Sequence, residues 1–210
     1  MHRLLVLSNT YRQSSRSPMA DETARLDPEN RLLWRFSRRR LTAEEIRDAM
    51  LATSGRLNLK AGGPSVMLPV DPSLVMLLYK PSQWRAAPSR DEQDRRSIYL
   101  FAKRNLRLPF FETFDAPTSL VSCARRESST HAPQALELLN GEFSNDLADA
   151  FAQRLAREAG DDPGRTVDRA FRLALGRAPT DQERELSLAF LRDQPAREFA
   201  LAMFNLNGFL

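Results

Sequence analysis

Apolar positions along the chain fall first into a helical pattern, then lose it, then recover it for the last third. Residues 2–13 place Leu4, Leu7 and Tyr11 at helical spacing, with no capping residue or turn ahead of them. Residues 14–24 are polar, contain Pro18 and predict a connecting loop. Asp27-Pro28-Glu29 predicts a helix start, because aspartate caps, proline suits the first turn and glutamate favours the positive end of the dipole; Leu32, Leu33 and Phe36 would then form its apolar face. Thr42-Ala43-Glu44-Glu45 has capping-box spacing, puts Ile46, Ala49 and Met50 on one face, and meets a stop at Gly55. Between residues 56 and 90 the period is broken by Gly62-Gly63-Pro64, Pro69, Asp71-Pro72, Pro81 and Pro88, which predicts a long irregular segment. Ser97-Ile98-Tyr99-Leu100-Phe101 then suits either a short strand or a buried helical turn.

From residue 133 onward helix signals follow in close order. Pro133 to Leu139 predicts a short helix stopped by Asn140-Gly141, and Phe143, Leu147, Phe151 and Leu155 repeat every fourth residue up to Gly160. Asp162-Pro163 opens a further helix with Val167, Ala170, Phe171 and Leu175, ending at Gly176. Thr180-Asp181-Gln182-Glu183 is a second capping box ahead of Leu186, Phe190 and Leu191, and a last helix from Pro195 presents Phe199, Ala202, Met203 and Leu206. Short links imply antiparallel packing. The expected fold is mainly α: a short-helix N-terminal part, an irregular middle with at most one or two short strands, and a C-terminal antiparallel helical bundle. Residues 1–142 are expected to pack on the bundle of 143–210, with Leu147, Phe151, Phe171, Leu175, Leu186, Phe190 and Phe199 in its core. An uncapped helical start and an apolar Gly208-Phe209-Leu210 end suggest a domain cut from a longer chain, whose missing N-terminal part would be its first partner and whose Leu4, Leu7 and Tyr11 would be covered on one side.

At 210 residues and 42% hydrophobic content the chain can build a sizeable core without disulfide or metal. No apolar run approaches membrane-spanning length. Of 31 basic residues only Lys60, Lys80 and Lys103 are lysines, and 27 acidic residues nearly balance them, so the formal net charge is only +4. With no recognisable nucleic-acid motif, that balance argues against nucleic acid as a partner. One cysteine and two histidines leave no material for a multi-cysteine or His-rich metal site or for covalent haem attachment, so no cofactor is expected.

Three arginine-bearing clusters carry the remaining chemistry. Arg35, Arg38, Arg39 and Arg40 beside Trp34 and Phe36 could hold phosphate, or could pair with Glu44, Glu45 and Asp48 as a solvated face. Arg95-Arg96 and Lys103-Arg104 bracket the apolar run at 97–101; Asp115 folded onto Arg96 or Arg104 makes a structural ion pair, and arginines converging in a cleft make an anion or carbohydrate-acid site. Residues 122–131 hold Cys123, Arg126, Glu127 and His131. A Cys–His nucleophilic pair can be drawn there, but a buried or inert Cys123 and a helix-entry His131 are the simpler reading.

Several stretches together resemble the planctomycete domain of unknown function found at the C-terminal end of large cytochrome-c-like proteins. They include Leu7-Ser8-Asn9-Thr10-Tyr11-Arg12, Arg40-Leu41-Thr42-Ala43-Glu44-Glu45-Ile46-Arg47-Asp48-Ala49, Arg95-Arg96-Ser97-Ile98-Tyr99-Leu100-Phe101, Ala174-Leu175-Gly176-Arg177-Ala178-Pro179-Thr180 and Phe204-Asn205-Leu206-Asn207-Gly208-Phe209-Leu210. In family order they span nearly the whole chain. The resemblance implies a fragment of such a domain, without a haem motif and without known catalytic residues, and a periplasmic or secreted parent. Two functions fit these residues. One is a non-catalytic binding or scaffold module with a protein or glycan partner, for which Arg96, Arg104 and Arg126 are the binding candidates. The other is an enzyme acting on polyhydroxylated or anionic carbohydrate-like substrates, with Asp115 and Glu127 as acid or base.

Overall fold

The computed structural model describes residues 1–16 and 20–210; the loop expected around Pro18 lies outside them. Among the described residues the fold is mainly helical, with three isolated β-bridges and no sheet. The chain divides into two compact units, Met1–Arg40 and Leu41–Leu210.

In Met1–Arg40, helix α1 (His2–Val6) buries none of its residues, so the stripe of Leu4, Leu7 and Tyr11 expected to be covered is exposed. Helix α2 (Ala20–Leu26) occupies part of the expected loop. The helix expected after Asp27 does not form. Asp27 does cap backbone amides, but those of Arg31 (2.9 Å) and Leu32 (2.8 Å), while its carbonyl accepts from Trp34 Nε1 at 2.9 Å. Asn30 (φ 55°) and Leu33 (φ 54°) sit in the left-handed region, which ends any helix within one turn. Asn30 then donates through Nδ2 to the Arg35 carbonyl and the Ser37 hydroxyl, both at 2.7 Å. Side-chain oxygens and amides competing for backbone partners win here over a helix whose apolar face has nothing to cover.

In Leu41–Leu210, helix α3 (Ala43–Ser54) opens on the expected capping box: Thr42 and Glu45 exchange side-chain and backbone bonds. It closes at Gly55, whose φ of 82° disfavours a side chain, and a Cβ there would press Arg154 Cδ at 3.2 Å. Arg154 needs that approach because its Nη1 donates to the last carbonyls of α3, Ala52 (2.8 Å) and Thr53 (3.0 Å).

The middle is irregular, as expected, with short helices α4 (Pro72–Met76), α5 (Arg90–Gln93) and α6 (Pro109–Thr113) and a 3₁₀ turn at Ser97–Tyr99. The apolar run at 97–101 is therefore neither strand nor buried turn: Ile98 is 77% exposed, and Ser97 is the buried member. Leu100 pairs with Val66 in a single parallel bridge. A satellite core of Leu78, Trp84 and Leu106 gives the segment some apolar anchorage.

Helices α7 (Ala132–Asn140), α8 (Glu142–Ala159), α9 (Pro163–Leu175), α10 (Asp181–Asp193) and α11 (Ala196–Phe204) follow in the expected order. Helix α8 is central, packing on α3, α7, α9 and α11. Its Leu147, Phe151 and Leu155 are fully buried with Ile46 and Met50 of α3, Phe171 of α9 and Phe204 of α11, so one core crosses residue 142. Phe209 closes it, and the Leu210 carbonyl accepts from the Leu41 amide at 2.7 Å.

Helix α10 differs from expectation. Leu186 and Phe190 are exposed, and the residues it lends to the core are half-buried Leu188 and Leu191. It is an outer helix packed mainly on α9 and α11, so a narrow stripe suffices. Its own start is secured by the second capping box, in which the bonds of Arg177 above all, with those of Thr180, hold the Glu183 carboxyl down to about 2.

Replacing Phe171 with alanine removes a ring from the main core and costs about 3–5 kcal/mol. Leu186→Ala changes stability by less than about 0.5 kcal/mol. Denaturant unfolding checks both, and similar costs would contradict the orientation given to α10.

Candidate functional site

The apolar stripe of α3 contains an intruder. Ala43, Ile46, Met50 and Leu51 are buried at helical spacing, and Arg47, in the same stripe, is only 2% exposed. Its guanidinium donates to the carbonyls of Arg95 (2.9 Å) and Gln93 (2.6 Å) and to the Ser97 hydroxyl (3.2 Å), and lies over the Phe143 ring. The nearest carboxylate, Asp48, is 3.7 Å away. Burial pulls the guanidinium down to about 10, with Asp48 and Asp94 opposing that pull, so Arg47 remains a cation at neutral pH.

A second buried arginine extends the tie. Arg95, 1% exposed, reaches the carbonyls of Lys60, Gly62 and Pro64 and stacks at 4.1 Å over Tyr99. Arg47 thus holds residues 93–97 on α3, and Arg95 holds residues 60–64 on residues 93–97. Arg56, just after α3, grips Asp94 through two nitrogens (2.8 and 2.6 Å) and Asp146 of α8 at 2.5 Å, and Arg90 also meets Asp146. Arginine suits these posts because one planar fork satisfies several carbonyls or a bidentate carboxylate. A cleft of about 460 Å³ lies over this network, lined by Arg47, Arg56, Arg90, Asp94, Asp146 and Phe143 among others.

This frame carries a surface groove. Asp48 accepts at one oxygen from the Ser97 amide (2.8 Å) and hydroxyl (2.7 Å), and its other oxygen faces Arg96 Nε at 3.6 Å. Arg126 Nη1 meets Glu44 Oε2 at 2.7 Å. Burial pushes the Glu44 carboxyl up, but the hydrogen bond and charge of Arg126, together with hydrogen bonds from the Glu44 backbone and Thr42, outweigh it and leave Glu44 below its ordinary value. Two depressions meet at this bridge. One, of about 650 Å³, is lined by Arg96, Glu45, Asp48 and Ile98; the other, of about 300 Å³, by Leu100, Phe101, Phe111 and Pro117; Glu44, Ser97 and Arg126 border both.

The structure therefore brings Arg96 and Arg126 together in one groove. Arg104 is exposed and lines neither depression. Asp115 is partner to neither Arg96 nor Arg104. It sits at φ 59° just past α6, and its carboxylate accepts from the Ser129 amide (2.9 Å) and hydroxyl (2.7 Å) and from Gln134 (3.4 Å), tying the approach to α7. Glu127 is exposed, and neither it nor Asp115 borders the groove. Cys123 is exposed rather than buried, and His131 is the N-cap residue of α7, the entry position expected of it. Arg47, Arg56, Asp94 and Asp146 carry no mark in the sequence patterns considered above, and Arg95 stands out there only as a neighbour of Arg96. The signal for Arg47 was present: a charge placed between the apolar positions Ile46 and Met50, on the face that must be buried. Among the described residues, no group of three or more His, Cys, Asp or Glu could hold a metal.

Asp94 and the Arg126–Glu44 bridge separate the frame from the groove energetically. Asp94→Asn leaves Arg56 without its bidentate partner in a largely buried position and costs about 3 kcal/mol. Arg126→Gln opens a half-exposed pair and costs about 0.2–1 kcal/mol. Urea unfolding of both variants checks the order, and a reversal would contradict it.

No curated protein and no solved structure matches the chain. A family match covers residues 1–191, and by it the chain belongs to the PSD1 family, described as a protein of unknown function (DUF1553).

Proposed function

We propose that this chain is a non-catalytic binding or scaffold module of a larger, exported planctomycete protein associated with a cytochrome-c-like segment. The parent context rests on the resemblance of the quoted stretches. The binding role rests on the groove at the Arg126–Glu44 bridge: an apolar half and a charged half are joined on a frame whose backbone carbonyls are held by buried guanidiniums. A half-exposed ion pair between apolar and charged surfaces suits an extended protein segment, which needs apolar contact for affinity and charge for register. A rigid frame lowers the ordering cost of binding. The enzyme reading, with Asp115 and Glu127 as acid and base, gains no comparable support, since Asp115 is spent on the entry to α7 and Glu127 lies outside the groove.

The test is site-specific photo-crosslinking in the full-length parent. A photoreactive residue at Phe101, in the apolar half of the groove, gives a discrete adduct that Glu44→Arg abolishes and Glu44→Arg with Arg126→Glu restores. The same probe at Leu186, on the outer face of α10, gives none. Equal labelling at both positions, or no adduct at Phe101, refutes the reading.

A further inference from the structure

The unit Met1–Arg40 has its polarity reversed. Among its described residues the buried ones are Asp27 and Asn30, while Leu4, Leu26 and Leu32 are 77%, 82% and 84% exposed, and Leu5, Leu7, Tyr11, Leu33 and Phe36 are exposed too. Polar bonds rather than apolar packing hold it: Asp27 and Asn30 bond to the backbone of residues 31–35, and nearer the surface Gln13 Nε2 donates to the Leu33 carbonyl at 2.6 Å and the Phe36 amide to the Ser14 carbonyl. Leu5, Tyr11, Leu33 and Phe36 instead line an outward-facing apolar cleft of about 450 Å³. Exposed apolar residues collected in this way mark an interaction surface.

Charge says what kind. Residues 1–40 hold nine arginines against four acidic residues, a net +5 that exceeds the +4 of the whole chain, so residues 41–210 carry −1. Arg3, Arg12, Arg16, Arg25, Arg31 and Arg38 are exposed among the exposed leucines. We infer that Met1–Arg40 docks on an anionic lipid surface, its leucines and aromatics entering the headgroup boundary and its arginines meeting lipid phosphates. Arginine fits both roles, with an apolar stem beside the leucines and a fork for phosphate. The apolar residues come from four separate stretches (4–7, 11, 26 and 32–36) rather than one helical row, an irregular set that a fluid surface accommodates and a single partner helix does not match. This surface is distinct from the groove of Leu41–Leu210 and does not depend on its function.

Co-sedimentation of the chain with vesicles tests the inference. With phosphatidylcholine alone the chain stays in the supernatant; with phosphatidylcholine and phosphatidylglycerol it pellets, and raising the salt releases part of it. Leu4→Asp with Leu32→Asp, at positions exposed enough to leave folding intact, weakens binding by at least about tenfold, as does Arg3→Gln with Arg12→Gln and Arg25→Gln. Glu44→Arg, in the groove, leaves vesicle binding unweakened. In a Leu5→Trp variant, brominated acyl chains quench the new indole. The inference is overturned if the chain ignores anionic vesicles, if it pellets without vesicles, or if the Leu4→Asp, Leu32→Asp variant binds undiminished and the introduced indole is not quenched, which would leave adsorption by charge alone.

Discussion

One buried guanidinium decides how the irregular third of this chain is arranged. Arg47 occupies a position in the apolar stripe of α3 that the helical period assigns to a hydrophobe, and uses it to hold the carbonyls of Gln93 and Arg95 and the hydroxyl of Ser97. Removing a cation from water is expensive, and this one has no close bidentate carboxylate in return. Carbonyl dipoles and the Phe143 face compensate it instead. Such a contact is poorly exchangeable: a hydrophobe of equal volume would leave three polar groups of the 93–97 segment without their donor. Arg95 relays the constraint to residues 60–64, and Arg56 relays it from Asp94 to Asp146 on α8. A segment rich in proline and poor in secondary structure acquires a single geometry through side chains rather than through a sheet.

How much of this could be read in the chain depended on whether the signal was local. Both capping boxes, the stops at Gly55 and Gly176 and the order of α7 to α11 were legible, because a cap is decided by four neighbouring residues. The start at Asp27 misled for the same reason. Its local signals are real, but Asn30 and Leu33 adopt left-handed backbone and the aspartate closes a turn instead. The faces of α10 were not legible, since Leu186, Leu188, Phe190 and Leu191 offer two apolar stripes and only the tertiary packing on α9 and α11 chooses between them.

The site was less legible than the fold. Arginines attract attention when they cluster in sequence, as at 35–40, yet the guanidiniums that organise Leu41–Leu210 are spread over positions 47, 56, 90 and 95. Arg96 and Arg126 stand out by their neighbours in the chain and do share a groove; Arg104 stands out on the same grounds and lies outside it. Adjacent Arg95 and Arg96 show the difficulty: one is 1% exposed and grips backbone, the other is half in solvent beside Asp48. Their immediate neighbours do not distinguish them, because the choice is made by the distant carbonyls of residues 60–64.

Arg47 is the tie between α3 and the irregular segment, and hydrogen exchange in an Arg47→Met variant tests that role most directly. The amides of Asn58, Val66, Ser97 and Phe101, which donate across that segment, lose protection, while those of α8 and α9 keep theirs. Unchanged protection at those four amides, or an equal loss in α8 and α9, would contradict it.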